Sequence, residues 1–134
     1  MLHQQIIVLA RQLVGRARYE YLARLEDAPR VVNCMTLIEW AFGRYGVVFP
    51  KRRIEWWVEL GTAVAVSDLI ACDLVFTKGP RNFPVQGIPG GIGHVGLVTE
   101  AHTVIHATNY VGVEEVFMHD FLRKRRICHA RRIV

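Results

Sequence analysis

Asn33-Cys34-Met35-Thr36-Leu37-Ile38-Glu39-Trp40-Ala41-Phe42-Gly43-Arg44-Tyr45 is the stretch on which the fold turns. Asn33 is a strong N-cap residue. Leu37, Ile38, Ala41, Phe42 and Tyr45 then recur at the spacing of one helical face, and Gly46 ends the run. The spacing predicts a helix that opens one residue before a cysteine. Unpaired backbone N–H groups and the positive end of the helix dipole gather at such a position. Both favour a thiolate, so the pKa of a reactive Cys34 would be lowered there. The same N–H groups can donate to a developing oxyanion. The plainer alternative is a packed residue, because cysteine is among the most buried types.

Upstream, residues 4–14 read as an amphipathic helix with Ile6, Leu9, Ala10 and Leu13 on one stripe, stopped by Gly15. Residues 16–33 are mixed, and Pro29 argues against a continuous helix through them. Residues 52–60 predict a short helix carrying Trp56 and Trp57, one packed inside and the other bordering a cleft. Downstream the character changes to short strands at 73–77, 94–100, 103–108, 113–117 and 127–133, with a helical turn near 119–124. Helices followed by a meander of strands predict an α+β fold, with N-terminal helices packed on one side of a small antiparallel sheet of about five strands. Between the first two strands, residues 78–93 read as a long Gly- and Pro-rich loop, of the kind that rims a functional cleft.

The chain has 134 residues, which fits one domain spanning 1–134 around one core. An apolar fraction of 51% excludes a disordered chain. A formal charge of +5 favours anionic partners. The basic run Arg123-Lys-Arg-Arg126, with Arg131 and Arg132, offers a face to an anionic polymer. No aromatic-rich RNA-binding signature accompanies it, so nucleic acid is not an expected partner. Three cysteines, Cys34, Cys72 and Cys128, are too few and too widely spaced for a disulfide framework. The apolar run before Arg11 is too short for a signal peptide or a membrane span. The expectation is a soluble protein, cytoplasmic as written or exported by another route.

Two histidines complete a chemical set. His94 opens a strand directly after the glycine-rich loop, and His106 lies in the next strand. A turn at Ala101-His102 makes the two strands antiparallel and brings the histidines roughly abreast on one face. A thiol, a base and a group that orients the base are the parts of a Cys-His-X triad. A neutral histidine can orient the base, because it can share the hydrogen bond that sets the tautomer. The chemical rival is a zinc site on Cys34, His94 and His106, but closely spaced ligand pairs are lacking. No metal and no cofactor is expected.

The segments Asn33-Cys-Met-Thr-Leu-Ile, Asp73-Leu-Val-Phe, Gly93-His-Val-Gly-Leu-Val, Val104-Ile-His-Ala and Ala130-Arg-Arg-Ile occur in an order that resembles the NlpC-type cysteine peptidases. These are bacterial cell-wall endopeptidases with a papain-like core. The resemblance runs from about Tyr21 to the C-terminus. It implies Cys34 as nucleophile, His94 as base and His106 as the third polar residue. It also implies a site-lining tyrosine, best matched by Tyr21 and second by Tyr19. The positions flanking the nucleophile, which in the family help recognise the free amino end of a stem peptide, fall on Asn33 and Met35, where an aspartate and a serine are usual. The glycine pair usual before the nucleophile is replaced within Leu22-Ala-Arg-Leu-Glu-Asp-Ala28, and Cys72 stands where a glycine usually precedes the Asp-Leu-Val-Phe strand. The function so implied is cleavage of an amide bond in peptidoglycan-derived peptides through a thioester. The alternatives are a related amidase, deamidase or acyltransferase on another substrate, and a binding module without turnover.

Overall fold

The chain begins with helix α1 (Leu2–Gln12), which turns away at Gly15 (φ +71°) into strand β1 (Arg18–Tyr19). This description comes from a computed structural model and covers residues 1–50 and 52–134. β2 (Val31–Val32) pairs with β1 in parallel and leads into α2 (Cys34–Gly43). The next elements are α3 (Ile54–Trp57), β3 (Thr62–Ala63), β4 (Leu74–Thr77), β5 (Phe83–Val85) and β6 (Ile88–Ile92). The chain ends with β7 (His94–Val98), β8 (Thr103–Thr108), β9 (Gly112–Phe117), α4 (Met118–Lys124) and β10 (His129–Arg132).

α2 forms where its cap and apolar spacing dictate. The Asn33 side-chain oxygen accepts from the N–H groups of Met35 and Thr36 at 3.0 and 2.8 Å, and the Thr36 hydroxyl accepts from the Asn33 N–H at 2.8 Å. This reciprocal box satisfies three orphan donors at the helix start. Leu37, Ile38, Ala41 and Phe42 are fully buried against α1, β7 and β8. Burying each large apolar side chain contributes about 1.5–3 kcal/mol, so this face, rather than helix propensity, holds α2 in place.

The main sheet has six antiparallel strands in the order β3-β10-β4-β7-β8-β9, one more than the sequence suggested. The extra strand, β3, has only two residues, both exposed, so it carries no alternating pattern to read. Phe76, Val95, Leu97, Ile105 and Ala107 face the core shared with α1, α2 and α3. Val75, Val98, Val104 and Ala130 point the other way and form a second cluster with Phe121 of α4 and Ile127. The N-terminal helices lie on one face, as expected, and α4 with the segment around Ile127 covers the other. This also explains why every residue of β4, β7 and β8 is buried. Buried Asp73 accepts two hydrogen bonds of 2.9 Å from Arg132 and pins the last strand to the sheet.

Residues 78–93 are not a structureless loop. β5 and β6 form a separate antiparallel hairpin that turns at Gln86-Gly87. The Lys78 ammonium ties it down by donating to the carbonyls of Pro89 and Gly91. Two glycines are required by close approach: a Cβ on Gly91 would lie 2.1 Å from the Phe83 carbonyl oxygen, and one on Gly93 1.7 Å from that of Arg81. Cys72, at the position where the resemblance has glycine, takes φ +75° and is buried, with its thiol donating to the His3 carbonyl at 3.3 Å. Trp57 is fully buried, whereas Trp56 is half exposed beneath the Arg53 guanidinium rather than at the cleft. Among the described residues no helix is long and apolar enough to cross a membrane.

Candidate active site

The start of α2 and the start of β7 meet at a cleft of about 440 Å³. Cys34, Asn33 and Met35 line it from the helix, and His94 from the strand. Tyr19, Tyr21 and Ala23 line it from the preceding segment, and Arg81 and Phe83 from the hairpin. The hairpin thus rims the cleft.

The histidines are placed by strand register. Leu97 lies opposite Ile105 and Val98 opposite Val104, which sets His106 across from Gly96 and diagonal to His94 on the same face. The hairpin loop is Glu100-Ala101-His102 between paired Thr99 and Thr103, with His102 at φ +56°, so the register sits one step from a two-residue turn. The three-residue loop leaves His106 two positions from the residue opposite His94 and on the same face, whereas a two-residue turn would leave it three positions away on the other face. Gly96 leaves the room this needs, because a Cβ there would lie 2.5 Å from Val104 Cγ1 and 3.5 Å from His106 Cβ. His94 Nε2 and His106 Nδ1 are 2.7 Å apart. His106 Nε2 in turn lies 2.9 Å from Oε2 of Glu114, its cross-strand partner on β9. The ring of Phe121 packs edge-on against His106 at 5.2 Å and fixes its tilt.

This line of hydrogen bonds determines where the protons sit. A carboxylate only accepts, so His106 donates from Nε2 to Glu114. Neutral His106 then has a bare Nδ1, which accepts from His94 Nε2–H. His94 is left with an unprotonated Nδ1, the form a general base requires. Burial keeps both rings neutral: it lowers His94 well below the usual histidine value and His106 to about 4, with Glu114 pulling the latter back upward.

Cys34 departs from the expected low pKa. Burial pushes the thiol up to about 11, more than the N–H groups of Val95, Cys34 and Met35 and the charge of Arg125 pull it down. Tyr19 is the tyrosine that feels the sulfur. Its hydroxyl is raised chiefly by burial, and any negative charge on Cys34 would raise it further. Tyr21 instead stacks beneath the Arg81 guanidinium at 4.8 Å on the rim. Asn33 spends its whole amide internally, accepting from two N–H groups and donating from Nδ2 to the carbonyls of Tyr21 and Ala23 at 3.0 and 3.2 Å. Met35 lines the cleft, half-buried.

Two residues at the site escaped sequence reasoning. Glu114 is legible once β9 is paired with β8, because a turn at Asn109–Val111 sets it opposite His106. Arg125 lies hidden within a basic run that reads as a solvated face. Among the described residues no three His, Cys, Asp or Glu side chains converge as a metal site.

A helix-start cysteine beside a strand-borne histidine, on helices packed against an antiparallel sheet, is the arrangement of the papain-like fold. Residues 16–132 match the NlpC/P60 family, and the chain belongs to it. It is 33% identical over 106 residues to a probable endopeptidase of Corynebacterium glutamicum, covering 79% of this chain and 43% of the relative. The chain thus spans less than half the length of that relative. Its fold is shared with the peptidoglycan hydrolase RipB of Mycobacterium tuberculosis (TM-score 0.72, 19% identity, 99% of this chain and 65% of that one). It is equally shared with RipD of the same organism, described as a non-catalytic NlpC/p60 domain protein adapted to peptidoglycan binding (TM-score 0.71, 15% identity, 100% and 98%).

Proposed function

We propose that this domain hydrolyses an amide bond in peptidoglycan-derived peptides through a thioester on Cys34. The observation that carries the reading is the hydrogen-bonded line Glu114–His106–His94, which ends at the cleft that His94 and Cys34 both line. The likeness to a probable endopeptidase and the fold shared with a peptidoglycan hydrolase support the substrate class.

Thiol and imidazole are both neutral at rest, so proton transfer to His94 Nδ1 accompanies attack of the sulfur on the carbonyl carbon. The Cys34 backbone N–H, which the Asn33 cap leaves free at the start of α2, stabilises the oxyanion. The C–N bond then breaks as His94 returns the proton to the leaving amine, and water, activated by the same nitrogen, releases the acyl group from sulfur. His106 and Glu114 hold the base in its useful tautomer.

The neutral thiol and the fully engaged Asn33 amide favour a second reading, a binding module without turnover. One experiment decides between them. Muropeptides are incubated with the protein, products are followed by mass spectrometry, and Cys34 is tested for faster alkylation than Cys72 and Cys128. Cys34→Ala and His94→Ala should each lower kcat/KM by about a thousandfold or more, and His106→Ala by less. Glu114→Gln should lower kcat by about tenfold and move the acid limb of its pH profile, with little change in KM. Undiminished cleavage by Cys34→Ala would overturn the thiol mechanism, and binding without cleavage by the parent protein would select the binding module.

A further inference from the structure

A second cavity of about 700 Å³ adjoins the Cys34 cleft, and Pro80, Thr108, Tyr110 and Arg125 line both. The two cavities therefore read as one groove with a waist. Asn33, Tyr21 and Ala23 belong to one end only, whereas Lys124 and Arg126 belong to the other. Arg125 stands at the waist, directly after the last residue of α4.

Its surroundings leave that guanidinium under-partnered. It is half-buried, and among the described residues its one hydrogen bond runs from Nη1 to the Lys78 carbonyl at 3.2 Å. Among the described residues no carboxylate lies within ion-pair distance of it. The other charged groups on the second cavity are Lys78, Lys124, Arg126, Glu114 and Asp120. Of these, Glu114 is engaged by His106 and Lys78 by two hairpin carbonyls. A guanidinium has five donors in a planar fork, and a half-buried one that has lost water without gaining an anion is an incomplete interaction. Burial lowers its pKa more than the nearby Glu114 carboxylate raises it.

We infer that Arg125 is a specificity residue that receives a carboxylate on the leaving-amine half of the substrate, which enters the second cavity. The inference rests on the amide-hydrolysis reading, with the acyl half held at the Asn33 end of the groove. The carboxylate completes the fork by bidentate hydrogen bonds, and the Lys78 carbonyl keeps the fork aimed across the waist.

The test uses two peptides that differ only in the leaving half, one with a free carboxylate next to the scissile amide and one with the carboxamide. The parent protein should favour the carboxylate by about tenfold or more in kcat/KM, mostly through KM. Arg125→Gln should bring the ratio close to one, and Arg125→Lys should retain part of it. Any effect of Arg125 on the Cys34–His94 centre, or on the fold, cancels in the ratio. Equal losses on both peptides would overturn the inference. Binding of both uncleaved peptides to Cys34→Ala, measured by calorimetry, gives the same comparison without turnover. A carboxylate preference there that Arg125→Gln abolishes supports the subsite even if the hydrolysis reading fails. No preference, or no binding of either peptide, overturns it.

Discussion

At the residue scale, Asn33 shows how one amide can serve the architecture of a site rather than its ligand. Its oxygen caps α2, and its nitrogen holds the carbonyls of Tyr21 and Ala23, so the segment carrying Tyr19 and Tyr21 is fastened to the helix that carries Cys34. An aspartate would cap equally well but has no donors for those carbonyls. Asn33→Asp should therefore destabilise the fold by about 1–2 kcal/mol and lower turnover, rather than restore an ammonium site for the amino end of a stem peptide. Urea denaturation and kcat/KM on stem peptides check this, and a gain in activity with unchanged stability would contradict it. Cys34 teaches a second lesson. A helix start favours a thiolate, but the close packing that seats the sulfur beside β7 disfavours charge more strongly.

At the scale of elements, the β5–β6 hairpin is a rim built to a fixed shape. The Lys78 ammonium clamps its carbonyls, and Gly91 and Gly93 let backbone approach backbone. Gly93 also precedes His94, so the hairpin sets where the base-bearing strand begins. Gly91→Ala forces the hairpin apart, because a left-handed φ of +71° and a contact near 2 Å are both incompatible with a Cβ. The expected outcome is a rise in KM of about tenfold or more, with a smaller fall in global stability. A thermal unfolding curve beside steady-state kinetics distinguishes the two, and unfolding at ambient temperature would show that the hairpin belongs to the core. α4 acts similarly from the other face. It brings Phe121 to His106 and delivers Arg125 to the waist of the groove.

For the whole molecule, the buried histidines link stability to pH. His106 takes up a proton near 6.5 when unfolded but only near 4 when folded. Between those values the unfolded chain binds more protons, so stability is complete above pH 6.5 and is lost as the pH falls toward 4. The shift corresponds to about 3 kcal/mol, and His94 adds to it with the same sign. Lowering the pH from 7 to 4.5 should reduce Tm by about 5–10 °C, and His106→Asn should blunt that loss. Calorimetric scans check it, and a Tm that stays flat over this range would mean that the rings are more accessible to solvent than their burial implies.

The sequence by itself determined the elements whose residues obey a local period or cap. The Asn33 cap, the apolar stripe of α2 and the short, largely apolar and β-branched runs of β4, β7 and β8 are local properties, and they place Cys34, His94 and His106 on their elements. What lay beyond it was whatever depends on partners distant in the chain. The hairpin at 83–92 has no alternating pattern, because glycines and a lysine clamp shape it rather than a buried face. The two-residue β3 is a strand only because β10 runs beside it. Which of four consecutive basic residues stands between the two cavities is decided by where α4 ends, and the charge state of Cys34 by how much protein surrounds it. Capping and periodicity act over a few residues and can be read along the chain, whereas burial, register and charge environment sum over the whole fold and exist only once it has closed.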